Sequence, residues 1–586
     1  MCGIFGYIGT RTNAATIVLN GLKLLEYRGY DSWGVSVQFR DKVVLEKHIG
    51  KIGDAHVTLP ESHVGIGHTR WATHGGVTQK NAHPHLDCKN EVAIIHNGII
   101  ENYLELKDEL LHLGHTFISE TDTEVMVHLI EEYLKTEKFS DAFRRAFLRL
   151  TGLNAVVATY IKSNEIIAAK TGSPLVVGVG DDGLYLASDA AGIIKHTRNL
   201  VFMKDGEMAI LSDTLRLILL SSGGYLEPVI ETIDWKIEES EMGEYPHFML
   251  KEMYEQSNII RNIATTYEDQ LKEISESIDK AFGTYLIGAG TAYHAALAGT
   301  YLFSKIAKKH VNTAPASEFN YLVDFLTDKS LILALSQSGE TIDVIEPLNY
   351  ARKKGSVIAA IVNSLGSTIY RMADKKVLLG AGPEKAVAST KAYTAKLAIL
   401  VLLSHMLRGD FLVGQKMLLH AAEEMDRQLQ KKSLNNLDLI AEILSRKEHI
   451  YTVGRGMSYP TALEAALKIK EITYIHTEGL AGGELKHGPL ALVTKGTPAI
   501  VFAPRDETYR AMLSNAMEIQ ARGGIIIGVA EKREKVFDHF IQVDDTGDAS
   551  MISQIISMQY LAYKIALIKN YDPDKPRNLA KSVTVK

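Results

Sequence analysis

An α/β and α+β multidomain architecture is predicted by three features of this 586-residue chain. The first is a duplication. Tyr285-Leu286-Ile287-Gly288-Ala289-Gly290-Thr291-Ala292-Tyr293 and Tyr451-Thr452-Val453-Gly454-Arg455-Gly456-Met457-Ser458-Tyr459 both read as strand, Gly-x-Gly, then helix, with glycines and tyrosines at one constant offset. Gly355–Ile361 and Gly523–Val529 match further on, so an α/β unit occurs twice. The second is composition. Near-continuous Val/Ile/Leu strands alternate with helical stretches, which argues parallel, doubly wound sheets. The third is the stretch Ala155 to Leu220, where short apolar runs alternate with Gly and Asp turns and read as sheet completion.

The bulk numbers exclude several classes. The length suggests about four domains. Hydrophobic residues make up 46 % and charged residues 23 %, ordinary for a globular protein, and the net charge of −6 gives no nucleic-acid footprint. The longest apolar run, Leu397 to Leu403, is too short to span a bilayer, and the N-terminus has no secretory pattern. Two cysteines, Cys2 and Cys88, cannot make a disulfide framework, and a reducing, cytoplasmic location is expected.

The most informative turn is Ser336-Gln337-Ser338-Gly339-Glu340-Thr341. It follows the apolar run Leu331–Leu335, read as a buried strand, and precedes a helix beginning near Ile342. Helix-start amides and the hydroxyls of Ser336, Ser338 and Thr341 make an anion seat, here suited to the phosphate of a small sugar phosphate. The loop has no Lys, so it is not a Walker P-loop. The second copy has Ala503-Pro504-Arg505-Asp506-Glu507-Thr508 there and has lost the hydroxyl cluster. Gly-x-Gly alone does not imply a dinucleotide fold, because a third Gly and an acidic ribose partner are missing.

At the other end, Met1-Cys2-Gly3 would leave Cys2 as N-terminal residue once Met1 is removed. One residue then carries both a nucleophilic thiol and a base, its own α-amino group. The histidines His68, His74, His83 and His85 cluster in sequence, but without metal-ligand spacing, so no metal is expected. In the helix Thr461 to Thr473, Glu464, Lys468 and Glu471 share one face. From spacing alone that face reads as a solvated ion-pair stripe. The Gly-rich loop Glu478–Pro489, holding His487, follows it.

Cys-Gly-Ile at the start, His68-Thr69-Arg70-Trp71-Ala72-Thr73-His74-Gly75, His96-Asn97-Gly98 and Glu120-Thr121-Asp122-Thr123-Glu124 resemble the glutaminase domain of class II amidotransferases. The resemblance implies an N-terminal-nucleophile α-β-β-α sandwich over residues 1–226. It implies Cys2 as nucleophile, Asn97 and Gly98 as oxyanion hole, and Arg70, Thr73, His74 and Asp122 around glutamine. Trp71 would gate ammonia escape. The tandem units look like two doubly wound sugar isomerase (SIS) domains. A joint at 227–244 precedes a long helical stretch, one helix or two with a break near Glu268 to Lys272, and the first SIS domain, to 425. The second SIS domain runs over 426–570.

Lys468-Ile469-Lys470-Glu471-Ile472, Gly483-Glu484-Leu485-Lys486-His487-Gly488-Pro489 and the tail Lys575–Val585 within 571–586 resemble the family of isomerising ketose-phosphate aminotransferases, across essentially the whole chain. That implies glutamine and fructose 6-phosphate as substrates and no cofactor. Thr291, Ser336, Gln337, Ser338, Thr341, Val387 and Ser389 would hold the sugar phosphate. Ala292 stands where the family commonly has Ser, one hydroxyl fewer. Glu471, His487, Lys581, Lys468 and Glu464 would carry the chemistry, with His487 shared across a homodimer. The alternatives are an amidotransferase on another ketose phosphate and a non-catalytic sugar-phosphate sensor.

Overall fold

The computed structural model describes residues 2–233 and 242–583; Met1, part of the joint and the last three residues of the tail lie outside them. The chain divides into two compact units, Met1–Ser240 with Ala580–Lys586, and Glu241–Leu579.

The first unit holds an eight-stranded and a seven-stranded sheet. In the eight-stranded sheet β1 (Gly3–Gly9) lies between Gly183–Ala187 and β2 (Val64–Arg70), antiparallel to both. In the seven-stranded sheet β3 (Val92–Gly98) pairs with Asn154–Tyr160, also antiparallel. The period of two along β3 explains the layering. Ala93 and Ile95 face a core shared with Ile4, Ile8 and Ile66 of the other sheet. Val92 and Ile94 face the helices, among them α1 (Glu124–Tyr133), through Val125, Met126, Leu129 and Ile130. The helix Ala14–Leu25 covers the outer face of the eight-stranded sheet, with Phe5 against Gly21. This is the expected α-β-β-α sandwich. A two-residue strand, Glu231–Thr232, pairs with Asn199–Phe202 inside the stretch expected to be joint.

The second unit contains two five-stranded parallel sheets with the same connectivity. The first is built from β4 (Gly283–Gly288), β5 (Val311–Pro315), β6 (Ser330–Ser336), β7 (Val357–Val362) and β8 (Lys375–Leu378). Its spatial order is β5-β4-β6-β7-β8. The second is built from β9 (His449–Gly454), β10 (His476–Ala481), β11 (Pro498–Phe502), β12 (Ile525–Ala530) and β13 (His539–Gln542), in the matching order β10-β9-β11-β12-β13. The chain order reverses between the first and third strands of each sheet. In doubly wound sheets ligands bind at that reversal, beyond the carboxyl ends of the strands. In the first sheet those ends are Gly288 and Ser336, so topology alone directs attention to Thr291 and the serine loop.

The helical stretch ahead of the first sheet is two helices, α2 (Phe248–Thr266) and α3 (Glu268–Lys280), broken at Tyr267, whose hydroxyl donates to Leu378 O. The other helices that matter here are α4 (Thr291–Leu302), α5 (Ile342–Lys353), α6 (Lys391–Arg408), α7 (Ser458–Thr473) and α8 (Ser550–Ile568). By length and composition α8, with its leading turn, could cross a bilayer. Its residues are buried nearly all round, and it is the core helix against which α7 packs.

Candidate active sites

In the first unit, β1 and β2 set the position of Cys2. Gly3 pairs with Thr69, and its amide donates to Thr69 Oγ1 at 3.0 Å. A Cβ on Gly3 would lie 2.6 Å from that oxygen, so only glycine permits the approach. This register brings Cys2 beside Trp71, whose amide donates to Cys2 Sγ at 3.2 Å. Burial pushes the Cys2 thiol above its ordinary value, while the Trp71 amide and the Arg70 guanidinium pull it down. Cys2, Arg70, Trp71, Thr73, His74, Asn97, Gly98 and Asp122 line one cavity, as expected from the sequence.

The orientation of the Asn97 amide follows from its neighbours. Nδ2 donates to Cys2 O at 2.8 Å, and that carbonyl can only accept. Oδ1 therefore faces His68 Nε2, 3.0 Å away, so this nitrogen carries the proton. Burial drives His68 down to about 3, which keeps the ring neutral at any working pH. His68 thus fixes the orientation of the proposed oxyanion donor, whose Nδ2 is turned to the Cys2 backbone, a role sequence reading did not assign. Gly98 next to it has φ +133°, and a Cβ would lie 2.3 Å from Leu153 O.

The clustered histidines form a packed, hydrogen-bonded layer. His83 stacks on His68 at 4.2 Å, and His83 Nδ1 accepts the His96 amide at 3.2 Å. His85 meets Thr121 Oγ1 at 3.1 Å, and His96 meets Thr123 Oγ1 at 2.8 Å. Burial lowers His83, His85 and His96 as well. These contacts tie the strands to the Thr121-Asp122-Thr123 turn that opens α1. Asp122 Oδ2 accepts the Ile100 amide at 2.7 Å. Arg70 donates to the carbonyls of His74, Gly75 and Gly76, which folds the His74 loop over the cavity with three of its five N–H groups. Thr73 is exposed, and His74 packs edge-on against Tyr103 at 5.6 Å.

In the second unit the serine turn, expected to seat a phosphate, is braced by its own hydroxyls. Ser336 Oγ accepts the Gly339 amide at 3.0 Å, and Ser338 Oγ accepts the Glu340 amide at 3.2 Å. Gly339 has φ +66°, and a Cβ there would collide with Ser367 Oγ. Thr341 is the N-cap of α5. The buried Glu340 reaches across to accept the Thr368 amide at 2.8 Å, which locks the turn. The corresponding turn of the second copy is closed by Asp506, which accepts from the Thr508 amide and hydroxyl at 2.8 and 2.6 Å. A carboxylate at that position repels an anion.

The face shared by Glu464, Lys468 and Glu471 is not solvated. Glu464 and Lys468 are fully buried, and Lys468 Nζ lies 3.3 Å from Glu464 Oε1 and in contact with Glu471 Oε1. Lys468 also donates to Thr291 Oγ1 and to Ser389 O, both at 3.1 Å. Thr291 Oγ1 donates to Glu464 at 3.0 Å, and His294 Nδ1 stands 2.7 Å from Glu464 Oε2. So α7 of the second copy is wired to α4 and to the 387–390 loop of the first. Burial alone would lower Lys468, but Glu471 and Glu464 more than reverse it and push it up to about 12. Burial likewise works to raise Glu464, and Lys468 and His294 bring it below its usual value. Both are charged at neutral pH.

Three carboxylates missed in the sequence shape the Val387–Ser389 loop. Glu384 accepts the Thr390 and Ala392 amides at 2.9 and 3.0 Å and the Ser389 hydroxyl at 3.0 Å. Glu252 of α2 accepts the Lys385 and Ala386 amides. Asp574 accepts the Phe248 and Met249 amides, each at 2.8 Å, and its carbonyl accepts the Val387 amide at 3.0 Å. Asp574 lies in the tail and so ties its first residues to α2 and to the 387–390 loop. Arg577 stacks 4.2 Å from the Tyr474 ring. His487 is exposed on the turn Glu484–His487 and takes no part in the Lys468 network. Lys581 is half-buried and groups with the first unit.

A nucleophile-bearing antiparallel sandwich with an oriented amide donor, followed by paired α/β units of which one keeps a hydroxyl-lined turn at a helix start, defines a glutamine amidotransferase joined to a phosphosugar isomerase. Family models agree: residues 1–212 match the glutamine amidotransferase domain, and residues 278–406 and 443–542 match the SIS domain. The chain is 44 % identical to the glutamine–fructose-6-phosphate aminotransferase (isomerizing) of Pyrococcus horikoshii and 41 % identical to that of Thermococcus kodakarensis, covering all of both chains in each case. It belongs to the isomerising glutamine–fructose-6-phosphate aminotransferase family. The solved C-terminal domain of the Francisella tularensis glucosamine–fructose-6-phosphate aminotransferase superposes on 57 % of this chain and all of its own, at 36 % identity and a TM-score of 0.54.

Proposed function

We propose that this chain converts D-fructose 6-phosphate and L-glutamine to D-glucosamine 6-phosphate and L-glutamate. The observation that carries the isomerase half is the buried Lys468 ammonium, held among Glu464, Glu471 and Thr291, with Thr291 following β4 and the serine turn following the adjacent β6. A sensor of sugar phosphates needs the seat but has no use for a charged, water-excluded acid–base face.

Cys2 Sγ attacks the glutamine carboxamide carbon. Asn97 Nδ2 and the Gly98 amide hold the oxyanion, Arg70 takes the substrate carboxylate and Asp122 its ammonium, with Thr73 and His74 lining the pocket. Ammonia leaves, Trp71 limits its escape, and water releases glutamate from the thioester. Ammonia passes internally to the sugar. There Ser336, Gln337, Ser338 and Thr341 seat the phosphate, with Thr291, Val387 and Ser389 closing over the sugar. His487 opens the furanose ring by moving a proton between hydroxyl and ring oxygen. Lys581 holds the open ketone as a Schiff base until ammonia replaces it at C2. Glu471 takes the C1 proton and returns it to C2 through an enolamine, while Lys468, oriented by Glu464, stabilises developing negative charge.

His487 is exposed and outside the Lys468 network, which supports a homodimer in which it serves the neighbouring subunit's sugar. Two free cysteines suit a reducing cytoplasm. Mixing inactive Glu471→Gln and His487→Ala chains tests the shared site. Recovery of about a quarter of native activity supports it, and no recovery on subunit exchange contradicts it. Turnover of fructose 6-phosphate against other ketose phosphates tests the substrate: preference for another ketose phosphate would replace this reading with that amidotransferase.

A further inference from the structure

We propose that Cys88, His115, His128 and Glu131 form a structural zinc site in the first unit. Their ligand atoms all lie within 4.8 Å of one another. Cys88 Sγ is 3.9 Å from His115 Nδ1 and 3.7 Å from His128 Nδ1. Glu131 Oε2 is 3.0 Å from the first of those nitrogens and 3.1 Å from the second. A tetrahedral zinc with bonds of about 2.3 Å to sulfur and 2.0–2.2 Å to nitrogen and oxygen has ligand-to-ligand edges of about 3.3–3.6 Å. Those four edges, 3.0 to 3.9 Å, bracket that range, and all six lie within 4.8 Å, so the side chains can close on the ion by small rotations.

The surroundings fit a metal better than a plain hydrogen-bond cluster. Both imidazoles turn Nδ1 inward, and their outer nitrogens face carboxylates. His115 Nε2 is 3.0 Å from Glu132 Oε2, and His128 Nε2 is 3.7 Å from Glu124 Oε1. Carboxylates behind ligating histidines fix the tautomer that offers a lone pair to the metal. Without a cation, the single oxygen Glu131 Oε2 must serve both Nδ1 atoms as well as the Cys88 amide, 3.2 Å away. With zinc, each Nδ1 becomes a ligand, His115 Nε2–H keeps its bond to Glu132, and His128 Nε2–H stays within 3.7 Å of the Glu124 carboxylate. One thiolate, two imidazoles and one carboxylate suit zinc and not the oxygen-loving magnesium or calcium. Four protein ligands leave no open position, so the role is structural. His115, His128 and Glu131 are buried, and Cys88 stands at the exposed lip as the way in.

The ligands come from three segments: the turn after His85–Leu86, the loop after Tyr103–His112, and α1. Zinc would therefore pin the helix whose first residue follows the Asp122-Thr123 turn, and so hold the floor of the glutamine cavity. Binding releases the Cys88 thiol proton.

The test uses full-length protein without a metal-binding tag, equilibrated with zinc or cobalt and then dialysed. About one zinc per chain is expected by mass spectrometry, and cobalt should give a thiolate charge-transfer band. Because the chain has two cysteines, Cys2→Ala must keep the band and Cys88→Ala must lose it. Zinc affinity of Cys88→Ala should fall more than about 10-fold. A chelator should lower the thermal midpoint of native protein and leave Cys88→Ala unmoved. Native protein that retains no zinc, or a cobalt band that follows Cys2 instead of Cys88, overturns the proposal. Should Cys88→Ala fail to fold, His115→Gln and the native stoichiometry decide.

Discussion

Replacing Lys468 by Met tests whether the buried face of α7 works by charge. The side chain is fully buried between Glu464 and Glu471 and is held at about 12, against an ordinary 10.5. A shift of that size is worth about 2 kcal/mol in favour of the ammonium. The variant loses this and leaves Glu464, itself fully buried, without its main counter-charge. Breaking a buried pair from one side costs about 3–5 kcal/mol. With an m-value of about 3 kcal/mol/M, the urea midpoint of the second unit should fall by about 1–1.7 M. The double variant Lys468→Met/Glu464→Gln should recover at least half of that, because the stranded charge is gone. The pH dependence has a defined sign. Lys468 is raised on folding, so its contribution is full below about 10.5 and fades as pH climbs through about 12. Glu464 is lowered, so its share is full above the ordinary carboxylate range and fades in acid. The native–variant difference should thus stay flat from about pH 6 to 9. Urea melts and glutamine hydrolysis are read on the same samples. Glucosamine 6-phosphate formation should vanish while glutamine hydrolysis persists. A midpoint change under 0.3 M with amino-sugar formation intact would refute the charge argument.

Further outcomes follow from the same geometry. Asn97→Ala should cut the kcat of glutamine hydrolysis by about 10²–10³ with little change in thermal midpoint. His68→Ala, which frees the Asn97 amide to rotate, should lower the same kcat while leaving KM for glutamine within about twofold; an unchanged kcat would remove His68 from the positioning role. Gly98→Ala forces a Cβ against Leu153 O at positive φ and should destabilise the first unit by at least about 2 kcal/mol in a denaturant melt. Asp574→Ala uncaps α2 and should cost about 1–2 kcal/mol, with a raised KM for fructose 6-phosphate and unchanged glutamine hydrolysis.

Much of this architecture is legible in the sequence. The duplicated Gly-x-Gly units appear as two sheets of identical strand order, because sequence repeats preserve topology. The sequence allows one long helix or two with a break near Glu268 to Lys272, and the break falls at Tyr267. Local pattern misled at α7. Spacing alone suggested a solvated stripe for Glu464, Lys468 and Glu471, whereas Glu464 and Lys468 are buried against α4 and the 387–390 loop. Periodicity reports which residues share a face, and only packing reports what that face meets. The same limit hid Glu252, Glu384 and Asp574. Each accepts backbone amides, some from far along the chain, and no motif announces such a bond. Likewise Cys88, His115, His128 and Glu131 converge from separate elements, and no sequence spacing announces such a cluster. His68, His83 and His85 are kept neutral by burial and serve as the scaffold of the glutamine cavity.

The central claim is that glutamine nitrogen released at Cys2 is delivered to the sugar without mixing with solvent. It is tested most directly by supplying amide-¹⁵N glutamine, fructose 6-phosphate and excess unlabelled ammonium to the purified chain, beside Cys2→Ala. The account predicts ¹⁵N glucosamine 6-phosphate from native protein, undiluted by the unlabelled pool, and no labelled product from the variant. Product carrying mostly ¹⁴N, or label incorporated by Cys2→Ala, would contradict it.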